Sequence, residues 1–340
     1  MSSKHRLATL WINYNSEKMW NMVEESLLTL LQLDAYHIII DNGSSDKSRL
    51  LLRRLVKSRR DVKYVELNHN IGFSGALNYA YRLAKKLEAT YLLAVNNDAI
   101  INVDAISKLV ETCEQDKKII AVSGIILNPR GKVCSMGVYV DQLLDTYPVG
   151  KDLRVTDLPT FPIYVTYCEG CIVLYNIELL RKIEKNGTIV PKLGFAYFDD
   201  DYIGYVGWSH NYKSISLPII VGVHYGTATF RELSIYWGHR AYIYKTLCYS
   251  NLIKILNLLY NARRSIIARK CRRYRIRGTI DGLLMHLRDR ETKITLRNVP
   301  HIRLSLNRLL KKVIIGKMSQ SEKTRLSIET AVKYRVKNLK

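Results

Sequence analysis

A chain of 340 residues with 47% hydrophobic content can bury a sizeable core and sets a soft expectation of about two domains. Its net charge is +23, but residues 261–340 hold 23 Lys and Arg against 5 Asp and Glu. That segment therefore carries +18 and residues 1–260 only +5, so a nearly balanced body precedes a strongly basic region. Among the six cysteines only Cys168 and Cys171 have CxxC spacing, with no second pair nearby. That argues against a zinc site, which usually needs four ligands, and for buried free thiols in a reducing compartment. The start "MSSKHRLATLWINYN" lacks the charged, apolar and cleavage regions of a secretory signal. No apolar run reaches about 18 residues, so no transmembrane helix is expected.

In chain order, "LATLWI" (7–12) reads as a short buried strand. The next segment carries Met19, Met22, Val23, Leu27, Leu30 and Leu31 at helical spacing. "HIIIDNGSSDKS" is a second strand running into a loop of small polar residues, "RLLLRRLVKS" a helix and "VKYVEL" a third strand. "NHNIGFSGALNYAYRLAKKL" is a loop and then a helix, and "TYLLAV" a fourth strand that stops at "NND", Asn96 to Asp98. Alternating strands and helices predict a mostly parallel sheet covered on both faces, with ligands at the carboxyl ends of the strands. Further on, "AVSGIIL" and "VTYCEGCIVLY" read as strands around a polar stretch near 128–160. "SISLPIIVGVHYGTATF" is a strand ending near His224, and from about Leu233 the pattern turns helical and then basic. No internal repeat or low-complexity linker interrupts the chain.

Several strand ends carry chemistry-bearing side chains. Asp98 is either a helix cap or turn residue, or a carboxylate ligand for a hard divalent cation that bridges phosphate oxygens. Asp41, with "NGSSD" after it, is either an ordinary β-to-α turn or an acceptor for a nucleobase or ribose. Asn70, Gly72, Gly75 and Asn78 lie at a loop-to-helix junction whose glycines allow close approach of a ligand. The three contiguous acids Asp199, Asp200 and Asp201 sit among Phe195, Tyr197, Phe198 and Tyr202. They are either a solvated acidic loop or a carboxylate tuned by an apolar wall to act as a general base. His224 after "PIIVGV" is either structural or a ligand.

Together these segments resemble the inverting family-two glycosyltransferases with the GT-A fold, and most nearly their rhamnosyltransferase-like branch. The match runs in order from about Ala8 to Arg240 through "NYN", "IIIDNGSSD", "NHNIGFSGALNYA", "LLAVNND", "EGCIVLY", "FAYFDDD" and "HYG". The resemblance implies that Asp41 contacts the nucleotide base with Asn13 and Asn15 nearby, and that Asn70, Gly72 and Asn78 line the nucleotide-sugar pocket. It implies that "NND" replaces a DXD-type motif, with Asp98 and His224 as metal or diphosphate ligands and Asn96 beside the nucleotide. Asp199 or Asp200 would be the catalytic base, with Asp200 favoured. Two departures stand out. Tyr202 takes the place of a third, spaced acid, and Val206 that of a downstream Arg. Near "YWGHRA", Arg240 matches a family Arg, whereas Ala241 replaces a common Asn.

The expected architecture is α/β: a GT-A domain over residues 1–230 and a helical basic extension over 231–340. The expected reaction moves a sugar from a nucleotide-diphosphate donor to an acceptor hydroxyl, assisted by manganese or magnesium, in polysaccharide or glycan biosynthesis. The implied partners are that donor, a glycan or lipid-linked acceptor and an anionic membrane surface, with the enzyme cytoplasmic or peripheral on the inner face of the membrane. In "IRLSLNRLLKKVII", Ile302, Leu306, Leu309 and Val313 are expected to share one helical face. Two competing classes are a nucleic-acid binder that uses the basic region and a metal-dependent nucleotidyltransferase. The first explains neither the ordered acidic strand ends nor "FDDD", which would repel phosphate.

Overall fold

The structure, a computed structural model, describes residues 7–191, 194–226, 233–249, 253–267, 271–289, 292–315 and 318–337. The first six residues of the N-terminal segment and residues 268–270 of the basic run lie outside the described residues.

The first part alternates strand and helix as its pattern predicts: β1 (Leu7–Asn13), α1 (Trp20–Leu30), β2 (Tyr36–Asp41), α2 (Ser48–Val56), β3 (Val62–Glu66), α3 (Gly72–Lys86) and β4 (Tyr91–Asn96). Next come β5 (Ala99–Ile101), α4 (Val103–Gln115), β6 (Ile119–Leu127), β7 (Val133–Ser135), β8 (Val138–Val140), β9 (Thr146–Pro148), β10 (Ile163–Tyr164), β11 (Ile172–Asn176) and α5 (Ile177–Ile183). The remainder is α6 (Asp200–Ser209), β12 (Lys213–His224), α7 (Leu233–Cys248), α8 (Lys254–Ile267), α9 (Arg272–Arg288), α10 (Leu306–Ile315) and α11 (Gln320–Lys333).

The main sheet runs β10-β12-β6-β11-β4-β1-β2-β3, and the β4-β1-β2-β3 half is wholly parallel. Strand β11 is antiparallel to both of its neighbours, and β12 pairs parallel with β6. Apolar runs such as Ile38–Ile40 and Leu92–Val95 are buried on both faces, as a covered parallel sheet requires. This is the α/β architecture expected, with two departures from the strand assignments. "CEGC" is a loop ahead of β11 rather than part of a strand, and the polar stretch near 128–160 holds the β8–β9 hairpin.

Register decides what meets at the carboxyl edge. Asn13 lies opposite Asp41, and Ile12 opposite Asn96, so three strand ends finish level. Antiparallel pairing of β5 with β12 sets His224 opposite Ala99, next to Asp98.

The C-terminal helices return to the body. The amide of Tyr164 donates to the Tyr334 carbonyl (2.9 Å) and that of Val336 to Pro162 (2.9 Å). Lys312 Nζ, with its side chain 2% exposed, reaches Asp141 Oδ2 at 2.5 Å and Asp145 Oδ2 at 2.8 Å. One buried cluster accordingly includes Leu92 and Tyr175 together with Leu304, Leu309 and Leu326. The face expected from Ile302, Leu306, Leu309 and Val313 forms only in part, with Val313 packed against the core beside Leu309. Ile302 precedes α10 and is buried, Leu309 points inward, and Leu306 is 64% exposed. The buried Lys312 sets the rotation of α10, because an ammonium inside must face its carboxylates.

Candidate active site

At the β1–β2 edge, small polar side chains lock two loops together. Asn13 Nδ2 donates to Asp41 Oδ2 (2.9 Å), Ser44 Oγ (3.2 Å) and Ser48 Oγ (3.0 Å). Asp41 Oδ1 accepts from the Ser44 amide (2.9 Å) and Arg49 Nε (3.0 Å). The Asp41 side chain is fully buried. Asn15, at φ +46°, accepts from the Ser45 amide at 2.8 Å, which ties the end of β1 to the loop after β2.

Asn70 Oδ1 accepts from Asn42 Nδ2 (3.0 Å) and the Gly72 amide (2.8 Å), and so organises the start of α3. Gly72 has φ +75°, and a Cβ there would lie 2.2 Å from the Phe195 carbonyl oxygen. Its absent side chain lets the acid-bearing loop approach α3. Asn78 does not join this group. Its Nδ2 donates to the Val190 carbonyl (3.0 Å), and its Oδ1 accepts from the amides of Ile189 (2.8 Å) and Val190 (3.3 Å). Its polar atoms pin the 189–190 segment.

At the end of β4 the Asn96 amide donates to the Cys171 carbonyl (3.0 Å), which joins "NND" to the "CEGC" loop. Asp98 Oδ1 lies 3.1 Å from His224 Nε2. Burial disfavours the His224 imidazolium, but Cys171 and Asp98 outweigh it and raise the ring's pKa well above its ordinary value. In this state the ring holds its proton against Asp98; a divalent cation would have to displace that proton to use the carboxylate oxygen and imidazole nitrogen as a donor pair. Among the described residues no group of three or more His, Cys, Asp or Glu gathers for a metal.

The three acids separate by environment. Tyr197, at φ +69°, turns the chain just before them. Asp199 is buried, and its Oδ1 accepts from Ser74 Oγ at 3.3 Å. Asp200 opens α6 and is partly exposed, with Oδ2 accepting from the Gly170 amide at 3.0 Å. Asp201 is sealed by Lys245, whose Nζ lies 2.8 Å from its Oδ2, the Lys245 and Asp201 side chains being 6% and 4% exposed. Burial, with the Asp201 charge adding to it, pushes the Asp199 carboxyl up to about 7. Burial, then Asp199 and Asp201, push Asp200 well above the ordinary carboxylate range. Burial also raises Asp201, against the pull of Lys245. A partly exposed carboxyl group that titrates high is chemically placed to accept a proton.

Three contributors escape a reading of motifs, and a fourth, Arg240, is marked there only as a match to a family Arg. Lys245 is 44 residues from its partner and lies in a helix without any local signal. Ser74 hides in the glycine-rich loop. Glu169 lies between Gly170, which touches Asp200, and Cys168, and its Oε2 is buried without a hydrogen-bond partner among the described residues. Arg240 stacks over Trp237 (4.3 Å), which itself stacks on Phe195 (4.2 Å) beside the acids. The Nε and Nη2 of Arg240 find no hydrogen-bond partner among the described residues.

A mostly parallel sheet whose carboxyl edge gathers an Asp–His pair and a polar loop network is the α/β architecture of the GT-A fold. The model of the glycosyl transferase family 2 matches residues 11–190, more than half of the chain, and the chain belongs to that family. Over 111 residues it is 32% identical to a poly-β-1,6-N-acetyl-D-glucosamine synthase of Staphylococcus aureus (strain COL), covering 32% of this chain and 25% of that protein. The Staphylococcus epidermidis synthase is 31% identical over 117 residues, covering 34% and 27%. The chain thus spans about a quarter of the length of these curated relatives. Among solved structures, GalNAc-T7 with UDP, GalNAc and Mn2+ superposes with a TM-score of 0.60 at 13% identity, covering 86% of this chain and 59% of that one. The mannosyltransferase PcManGT from Pyrobaculum calidifontis, in complex with GDP-Man and Mn2+, gives 0.51 at 15%, covering 97% and 87%. Both likenesses concern the fold.

Proposed function

We propose that the protein transfers a sugar from a nucleotide-diphosphate donor to a hydroxyl of a glycan or lipid-linked acceptor, with inversion, in polysaccharide or glycan biosynthesis. The observation that carries this is that one loop, residues 168–171, is tied both to the "NND" strand end of the Asp98–His224 pair, through Asn96 and Cys171, and to the partly exposed Asp200, through Gly170. The order of motifs supports a reading within the rhamnosyltransferase-like branch of its family. Residues 1–230 form the catalytic domain and 231–340 its helical basic extension.

Asp200 takes the acceptor proton as that oxygen attacks the anomeric carbon, and one displacement inverts the configuration. Asp199, held by Ser74, keeps the neighbouring charge in place and is the alternative base. Asp98 and His224 would hold manganese or magnesium, which when bound supplies charge compensation for the departing diphosphate. Asn96 lies beside the nucleotide. Asn13 and Asn15 shape the base-binding end. Asp41, enclosed by Asn13, Ser44 and Arg49, acts there by fixing the loop rather than through an open carboxylate. Asn70 and Gly72 position the pocket wall, and Asn78 supports it from behind. A lipid-linked acceptor places the enzyme at the inner face of a membrane.

The test is a screen of nucleotide-sugars with Mn2+ or Mg2+, with analysis of the products. Release of a nucleoside diphosphate is expected. Release of pyrophosphate would identify a nucleotidyltransferase instead. Salt-sensitive nucleic-acid binding with no donor turnover would favour the basic region as a nucleic-acid site.

A further inference from the structure

Three helices of the C-terminal region leave most of their described aliphatic side chains outside. In α9, Gly278 and Gly282 face α7. A Cβ at 278 would lie 3.0 Å from the Tyr236 carbonyl oxygen, and one at 282 would lie 2.7 Å from that of Arg240. These glycines let α9 approach α7 closely, and the apolar stripe Ile276, Ile280, Leu283, Leu284 and Leu287 is left outside, each residue at least 43% exposed. In α8 the buried side chains are Asn257, Tyr260 and Asn261, with Asn257 Oδ1 accepting from Tyr242 at 2.8 Å. Ile255, Leu258 and Leu259 face out. In α10 the buried Lys312 is held by Asp141 and Asp145, while Leu306, Leu310, Ile314 and Ile315 are exposed. Helix α8 packs against both α9 and α10, so the three helices that carry these exposed side chains are neighbours. A helix in water turns its apolar stripe inward, and three adjacent ones that do the reverse require an apolar occupant.

We propose that the outward face of α8, α9 and α10 docks on an anionic lipid surface. Charge selects this occupant. The three helices carry eleven Lys and Arg against a single acid, Asp281. The same face of a second copy would repel it, and nucleic acid would leave the leucines in water. Leucines sunk at the acyl boundary with arginines at the headgroups satisfy both features. Among the described residues no helix is long and apolar enough to cross a membrane, so the helices lie along the surface. Helix α9 rests on α7, whose Trp237 stacks on Phe195 of the acid loop, which brings the lipid surface within one helix layer of the proposed transfer site. That last placement rests on the transfer reading; the docking surface does not.

The experiment is flotation of the full chain with vesicles of phosphatidylglycerol and phosphatidylcholine in equal parts, or of phosphatidylcholine alone, at low and high salt. The wild type should float with the anionic vesicles and be released by salt. The variant Ile280→Ser, Leu284→Ser, Leu310→Ser, Ile314→Ser changes exposed residues only. It should keep its thermal midpoint and its donor hydrolysis while losing vesicle affinity about tenfold or more. Retained hydrolysis with lost flotation separates this surface from the catalytic reading. Absence of wild-type flotation, or equal flotation of the variant, overturns the proposal. So does a concentration-dependent dimer that the substitutions abolish without any vesicle binding.

Discussion

Replacing Lys245 by Met removes the only cation that faces Asp201 within hydrogen-bond distance among the described residues. The pair is separated by 2.8 Å and its side chains are 6% and 4% exposed, so water does not compensate the carboxylate left behind. Breaking a buried pair from one side costs about 3–5 kcal/mol, a large part of the roughly 5–15 kcal/mol by which a domain is stable. Urea unfolding at neutral pH should show that loss. The double variant Lys245→Met, Asp201→Asn should recover most of it, because the unpaired charge is gone. The pH dependence has a definite sign. Without Lys245 the folded-state pKa of Asp201, already raised by burial, rises further. The variant's deficit is therefore absent below the ordinary carboxylate range and grows as pH climbs through it toward the raised value. A single variant as stable as wild type, or a double variant no better than the single, would refute the reasoning.

Asp98→Ala should abolish metal-dependent donor binding and turnover with the fold intact; wild-type Mn2+ affinity measured by calorimetry would sink the assignment of the Asp98–His224 pair. Gly72→Ala forces a side chain into the left-handed region and against the Phe195 carbonyl, so unfolding should show a cost on the order of 1–3 kcal/mol and kcat/KM should fall as the acid loop shifts. The acid limb of the kcat/KM profile should lie well above the ordinary carboxylate range, because burial, then Asp199 and Asp201, lift the Asp200 carboxyl; activity rises with pH as the base loses its proton, while the stability that the protonated carboxyls contribute is lost over the same rise. A limb near the unperturbed carboxylate range would mean that the acids are hydrated in solution.

The parallel half of the sheet was legible because apolar runs alternate with helical periods and end in small polar residues, and register then brings Asn13, Asp41 and Asn96 level. The acid run and His224 were legible because carboxylates among aromatics and a histidine after a strand are locally unusual. What pairs across long separations was not. Nothing near Lys245 or Lys312 marks them as buried; their carboxylate partners lie 44 and 171 residues away. Asn78 resembles a pocket residue in sequence, yet its hydrogen bonds go to a segment more than a hundred residues on. Periodicity identified one apolar face, in the α10 segment, where the buried Lys312 leaves Leu306 outside, and it did not mark the exposed stripe of α9, whose glycines turn toward α7.

The central claim is that Asp200 is the base of a glycosyl transfer. Asp200→Asn and Asp199→Asn, compared with wild type for single-turnover rate and donor affinity on a productive donor and acceptor, test it most directly. The account predicts that Asp200→Asn slows transfer by on the order of 10²–10⁴-fold with donor affinity unchanged, and that Asp199→Asn has the smaller effect. Wild-type transfer by Asp200→Asn, with the loss appearing in Asp199→Asn instead, would contradict it.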